Sequence, residues 1–370
     1  MSEILKVIGL MSGTSLDGVD AALLETDGED FVRPGPGLTV PYDGQTRAQL
    51  RAALDSAGSV SQGAPMPHSI REAERVLTEV HGEAAKALLA KAGLAADGIA
   101  LIGFHGQTIL HRPERHWTWQ IGDGALLARL TGIDVINDFR SADVKAGGQG
   151  APLMPLYHAA IARQSGLARP LVVVNIGGVA QVTYIDGDTV LAFDTGPGNA
   201  LVDDWMLART GKPVDQDGIF ARSGKINEGI LGRMVEDDFF DRTPPKSLDR
   251  MDFNPVIEMV EKLSPQDGAA TLTAFTAIAI AKASDHFPAA PKTWVVSGGG
   301  RHNKFLMEKL RGWVKAPVLS AEDAGWDGDA LEAHGFAYLA VRAKKGLPLS
   351  LPTTTGVAKS MTGGKFHPKR

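Results

Sequence analysis

The sequence predicts an α/β protein built from two related domains. Three observations carry this. A length of 370 residues, at roughly 150 residues per domain, points to two domains. Short apolar runs ending in glycine-rich turns alternate with longer stretches of helical spacing. A weak internal repeat is also present: residues 7–24 and 171–185 each read as an apolar strand, a turn of small residues and a second, alternating strand. One such hairpin near the start of each half suggests two related domains facing each other across a cleft.

The elements follow in order. Val7, Ile8 and Leu10 begin the first strand, and Val19, Ala21 and Leu23 mark the second. Between them lies S-G-T-S-L-D-G. Asp17-Gly18 is a hairpin signal, because both residues tolerate positive φ. With the Ser12, Thr14 and Ser15 hydroxyls beside backbone N–H groups, this turn suits phosphate oxygens. Residues 31–42 carry three prolines, which allow a loop or at most an edge strand. Residues 45–57 and 68–91 have helical spacing, and Gly93 ends the second. Residues 99–104 form a short buried strand leading into His105-Gly106-Gln107-Thr108. Ligands collect at such C-terminal strand ends in open α/β sheets. Residues 118–122 and 134–139 are further strands flanking a helix at 124–130. The glycine-rich stretch 141–153 is the candidate interdomain crossing. Arg140, just before it, is suited to an anion or to an ion pair with Asp138 or Asp143.

In the second half, residues 155–164 form a helix and 171–175 a strand running into I-G-G-V-A. A strand at 190–193 exits through F-D-T-G-P-G-N. Asp194 there is placed either as a general base or as a turn-capping aspartate, and Asn199 is suited to cap the helix over 200–208. Residues 243–250, T-P-P-K-S-L-D-R, read as an irregular and mobile loop. A buried helix spans 272–287. The strand at 294–297 runs into S-G-G-G-R-H-N, whose glycines admit a flat or anionic ligand close to the backbone. Asn303 is suited to cap the helix that ends near Arg311. A short strand holds Val318 and Leu319. The last helix, 329–344, carries Glu332 in its first turn, where the helix dipole favours a carboxylate.

Composition narrows the function. Apolar residues at 44% and charged residues at 22% support a sizeable core. A net charge of −5 gives no general attraction to nucleic acid or an anionic membrane. The basic runs at 342–345 and 365–370 read as solvated charges. The chain has no cysteine, which excludes disulfides, thiolate catalysis and cysteine-bound metal, and it fits a reducing compartment. The chain enters a strand almost at once, without a signal-peptide pattern. Its longest apolar stretch, 271–283, is too short to span a bilayer. The expectation is a soluble cytoplasmic protein.

Six ordered motifs then point to one family. They are G-L-M-S-G-T-S-L-D-G-V-D at 9–20, G-F-H-G-Q-T at 103–108 and D-F-R-S-A-D-V-K-A-G-G-Q-G-A-P-L at 138–153. They continue with N-I-G-G-V-A at 175–180, F-D-T-G-P-G-N at 193–199 and S-G-G-G-R-H-N at 297–303. Together they resemble the anhydro-N-acetylmuramic acid kinases of the actin and sugar-kinase superfamily. Phe104, where the family often has serine, and Leu16, where it often has methionine, are small departures.

The resemblance implies two ribonuclease-H-like domains, each a mixed five-stranded sheet flanked by helices, with an ATP cleft between them. The implied domains are 1–145, completed by the C-terminal helix at about 329–370, and 146–328. ATP phosphates would be cradled by Gly13, Thr14, Ser15, Leu16, Asp17, Gly18, Val19 and Asp20. Asn175, Gly177 and Gly178 would supply a second phosphate-facing turn, and Gly298, Gly299 and Gly300 would pass near the nucleoside. Mg2+ would arrive with the nucleotide; its protein ligands are left open. No G-x-x-x-x-G-K-[ST] string occurs, so a P-loop is excluded.

The implied reaction opens 1,6-anhydro-N-acetylmuramic acid with water and phosphorylates the released oxygen, a step in cell-wall recycling. Asp194 would be the base, and His105, Gln107, Arg140 and Glu332 would face the sugar and its lactyl carboxylate. A homodimer is the expected assembly. The alternatives are a kinase of an intact sugar or carboxylate and a non-enzymatic ATP-switch protein.

Overall fold

The computed structural model describes residues 3–369 apart from Thr14, Asp249 and Arg250. The chain divides into two compact units, one ending at Gln164 and resuming at Asp329, the other spanning Ser165–Gly328.

In the first unit, β1 (Leu5–Met11), β2 (Gly18–Thr26) and β3 (Val32–Pro41) form an antiparallel meander. β4 (Leu101–Phe104) and β7 (Val135–Asn137) add to the other side of β1 in parallel. β5 (Gln107–Arg112) and β6 (Trp117–Ile121) form a separate ribbon. In the second unit, β8 (Leu171–Ile176), β9 (Val179–Asp186) and β10 (Thr189–Pro197) repeat the meander. β11 (Thr293–Ser297) and β12 (Val318–Ser320) continue it in parallel. The two orders, β3-β2-β1-β4-β7 and β10-β9-β8-β11-β12, are the same. The weak repeat in the sequence is thus a repeat of topology, and each unit has the expected mixed sheet of five. The first gains a sixth strand, β13 (Lys365–His367), antiparallel to β7. The basic tail expected in solvent therefore supplies an edge strand, because β7 leaves a row of backbone groups open to pairing.

The helix Leu331–Lys344 lies across β1 and β4. Glycine in both strands permits this: a Cβ on Gly9 would stand 1.7 Å from the Ala333 oxygen, and one on Gly103 would stand 2.2 Å from the Phe336 oxygen. The helix is apolar nearly all round and buried along most of its length, as befits a helix covered on more than one side. The helix Pro155–Gln164 also belongs to the first unit, where it packs on Leu331–Lys344 and β3. The boundary therefore falls after Gln164 rather than after residue 145. The glycine-rich stretch is not the crossing. Its Asp143 carboxylate accepts from Gly150 N at 2.7 Å and Thr355 Oγ1 at 2.6 Å, and also from Ser350 Oγ. These bonds bind it to the C-terminal segment of its own unit.

The second unit carries two cores. One lies beneath its sheet, around Val172, Val296 and Leu310. The other is helical and aromatic, with Trp205, Phe239, Phe240, Phe253 and Phe275. Fully burying each large side chain contributes roughly 1.5–3 kcal/mol. No helix among the described residues is long and apolar enough to cross a membrane.

Candidate active site

The first hairpin turn is built differently from its sequence reading. The left-handed residue is Leu16, with φ of 57°, rather than Asp17 or Gly18. Leu16 N donates to Gly13 O at 3.2 Å, and Arg47 Nε donates to Leu16 O at 2.9 Å. Gly18 is required for another reason: a Cβ there would lie 2.4 Å from Val40 O on β3. Val19 and Asp20 are in β2. Thr14 lies outside the described residues. Above Gly13 the space is open, since a Cβ would meet only Ser15 Oγ at 3.7 Å.

Beside this turn the structure gathers the four residues expected to face a sugar. His105 follows β4, and its backbone N donates to Leu10 O at 3.1 Å. Its Nδ1 pairs with Gly106 O at 2.9 Å, while Nε2 accepts from Arg140 Nε at 3.1 Å. The ring is accordingly the Nδ1–H tautomer. Burial and the adjacent Arg140 guanidinium hold it well below its usual pKa, so it is neutral. Arg140 also donates from Nη1 to Gly150 O at 2.7 Å. Burial lowers its pKa to about 10, against the attraction of Glu332 and Asp143. Burial likewise raises Glu332, against Arg140 and with the repulsion of Asp20. In both partners desolvation outweighs their mutual attraction, so an added ligand charge changes the balance strongly. Gln107 is fully buried and accepts from Ser12 Oγ at 2.7 Å; Ser12 in turn accepts from Tyr42 OH at 2.8 Å. Tyr42 escaped the sequence reading, since nothing in its local pattern announces a partner on β1's exit.

In the second unit three turns converge. Asn199 N donates to Gly177 O at 2.7 Å and Gly198 N donates to Gly178 O at 2.9 Å. Gly298 packs against Asn175, whose Oδ1 would stand 2.3 Å from a Cβ there. Gly300 is filled by Ile176, at 2.4 Å. Over Gly177 and Gly299, by contrast, a Cβ would meet nothing nearer than 3.7 Å. Two of these glycines hold the turns together, and two leave room for a ligand against the backbone. Asn199 does not cap its helix, Ala200–Thr210; its Nδ2 donates to Ile176 O at 3.2 Å and joins the turns instead. Asn303 does cap Lys304–Trp313, accepting from Leu306 N.

A cavity of about 340 Å³ lies in the same unit, lined by Met206, Val214, Asp215, Gln216, Ile219 and Phe220 among others. Its wall at Gln216–Gly218 packs on the Gly299–His302 turn.

Asp194 sits within β10, not at its exit. The pairing with β9 shifts between Asp194 and Gly196, a bulge of the kind that re-aims a side chain. β10 is the edge strand, and residues 246–248 run along it. Asp194 N donates to Lys246 O at 2.9 Å, and Leu248 N donates to Asp194 Oδ2 at 2.9 Å. The loop read as mobile is thus fastened to the strand as far as Leu248; Asp249 and Arg250 lie outside the described residues. Burial pushes the Asp194 carboxyl up to about 7, with the Leu248 amide opposing. A carboxylate with a pKa near neutrality is matched to taking a proton from water.

The family model for anhydro-N-acetylmuramic acid kinase matches residues 5–369. The chain belongs to the anhydro-N-acetylmuramic acid kinase family. The kinase of that name from Rhizorhabdus wittichii is 53% identical over 363 residues, covering 97% of this chain and 98% of that one. The kinase from Rhodospirillum rubrum is 54% identical over 366 residues, covering 98% and 94%. That from Paramagnetospirillum magneticum is 52% identical over 362 residues, covering 97% and 99%.

Proposed function

We propose that this chain is an ATP-dependent kinase that opens 1,6-anhydro-N-acetylmuramic acid with water and phosphorylates it to N-acetylmuramic acid 6-phosphate. The observation that carries the reading is Asp194: a strand-held carboxylate tuned to about 7, in a chain of this family. Asp194 takes one proton from a water molecule. The water oxygen bonds to the anomeric carbon, and the bond from that carbon to the six-position oxygen breaks. That oxygen then bonds to the γ-phosphorus of ATP, and ADP leaves. The base contributes roughly 10²–10⁴-fold, and positioning and electrostatics supply the rest.

His105, Gln107, Arg140 and Glu332 hold the sugar. Arg140 meets the lactyl carboxylate, which relieves the desolvated guanidinium. Gly13 to Asp20, Asn175, Gly177 and Gly178 take the phosphates. Gly298, Gly299 and Gly300 lie near the nucleoside, and the adjoining cavity is a size that suits its base. Magnesium, bound chiefly through the phosphates, would neutralise the charge developing on the transferred group. A cytoplasmic homodimer goes with this reading, and light scattering checks the mass.

The test is ADP release from ATP and magnesium, with and without the anhydro sugar, run beside Asp194→Asn. Release that needs the sugar and collapses in the variant is the expected result. Release indifferent to the sugar would overturn the reading.

A further inference from the structure

We propose that Lys246 is a positioning residue for the Asp194 carboxylate, acting through the backbone of residues 246–248. The inference rests on Asp194 as the base, and its test is built to separate the two.

Lys246 Nζ donates to Phe239 O at 2.9 Å and Phe240 O at 3.0 Å, and lies 3.2 Å from His286 Nε2. Two carbonyl oxygens accept from this ammonium, and the imidazole beside it donates to one of the same carbonyls. His286 Nε2 is also 2.8 Å from Phe240 O, so lysine, imidazole and carbonyl form a closed triangle. The amine lies 4.6 Å from the centre of the Phe239 ring, within cation–π range. Each neighbour is anchored: Phe239 and Phe240 belong to the aromatic core, and His286 stacks edge-on against Phe193 of β10.

The other end of the same residue reaches Asp194. The Lys246 carbonyl accepts the Asp194 amide, and two residues on, the Leu248 amide donates to the carboxylate. Asp194 is thus clasped at backbone and side chain by one short segment. Pro244 and Pro245 stiffen the approach, since their φ angles are fixed. The arrangement is costly. Burial presses the amine down to about 8, with Asp241 favouring the charge and Arg242 and Lys282 opposing it. Packing alone needs no charge there, because an unbranched apolar side chain would fill the same stem. What the ammonium adds is direction: two fixed bonds to the Phe239 and Phe240 carbonyls hold the segment in the conformation that presents the Leu248 amide.

The test uses the full chain with Lys246→Met and Lys246→Arg. In Lys246→Met the amides of Asp194 and Leu248 are expected to exchange with deuterium tenfold faster or more, about the effect of freeing a local segment. Amides of β8 keep their wild-type rates. The acid limb of the kcat/KM profile moves up by about one pH unit, the scale of one hydrogen bond to a charged group. Lys246→Arg, which retains directed donors, restores both. Should Lys246→Met not fold, His286→Phe removes the imidazole that shares the Phe240 carbonyl with the ammonium and is read in the same two ways. Protected amides and an unmoved limb in the variant, with only a lower Tm, would overturn the proposal and leave the lysine a stabilising residue. Asp194→Asn with sugar opening intact would sink the base instead, and the exchange rates would still decide the clasp.

Discussion

Asp194 concentrates the chemistry of the second unit in one titration. Its carboxyl is raised to about 7 because burial disfavours the charged form. Only the ionised form accepts a proton, so kcat/KM is expected to rise with pH through about 7 and then level; a pH–rate profile flat from 5 to 8 would contradict this. Stability has the opposite sign. A carboxyl raised in the fold binds protons that the unfolded chain has released, so its ionisation costs stability as pH rises from about 4 to 7. Asp194→Asn removes that cost. At pH 8 its Tm should exceed wild type by about 2–4 °C for each kcal/mol recovered, with the gain shrinking toward pH 4 in calorimetry. Arg140 has a different signature. In the proposed reading it meets the substrate carboxylate rather than the reacting atoms, so Arg140→Ala should raise KM by about tenfold or more with a smaller change in kcat. An unchanged KM would remove the lactyl carboxylate as its partner.

The turns carry the site at the scale of elements, and their glycines divide into two kinds. A methyl group on Gly300 runs into the Ile176 side chain, whereas one on Gly177 enters open space. Gly300→Ala should therefore lose about 1–3 kcal/mol of stability in urea unfolding. Gly177→Ala should unfold close to wild type yet raise the KM for ATP severalfold. If the two variants behave alike, the cradle has been misplaced. Another element-scale device supports Arg140. Asp143 holds Gly150 N, Ser350 and Thr355, and Gly150 O holds Arg140. A segment far along the chain thereby fixes the Arg140 guanidinium. The strands and glycine turns were legible because period-two patterning and turn residues are local signals. Leu16 in the left-handed region was not, because its conformation is held by distant groups: Arg47 on its carbonyl and the core around its buried side chain.

Across the whole molecule, one strand order appears twice, and the C-terminal segment returns to complete the first unit. A ligand that binds only the folded chain stabilises it by mass action. ATP with magnesium at a hundredfold over Kd should add about 2.7 kcal/mol, or about 5–10 °C in Tm for a unit of this size. Lys365–His367 pairs with β7 and His367 bonds Asn137, both within the first unit, so removing it should leave the second unit's exchange protection untouched.

By itself the sequence determined the α/β class, the repeated hairpin and the family. It also marked out the motif residues, including Asp194, His105, Gln107, Arg140 and Glu332. These are properties of contiguous stretches, written in side-chain type and spacing. Only the tertiary structure decided the partners: Tyr42 behind Ser12 and Gln107, Thr355 on Asp143, and Leu248 on Asp194, which lie 54 positions apart. In the last of these the donor is a backbone amide, common to every residue but proline. No side chain announces it, and it acquires a role only when the chain lays that segment along the free edge of β10.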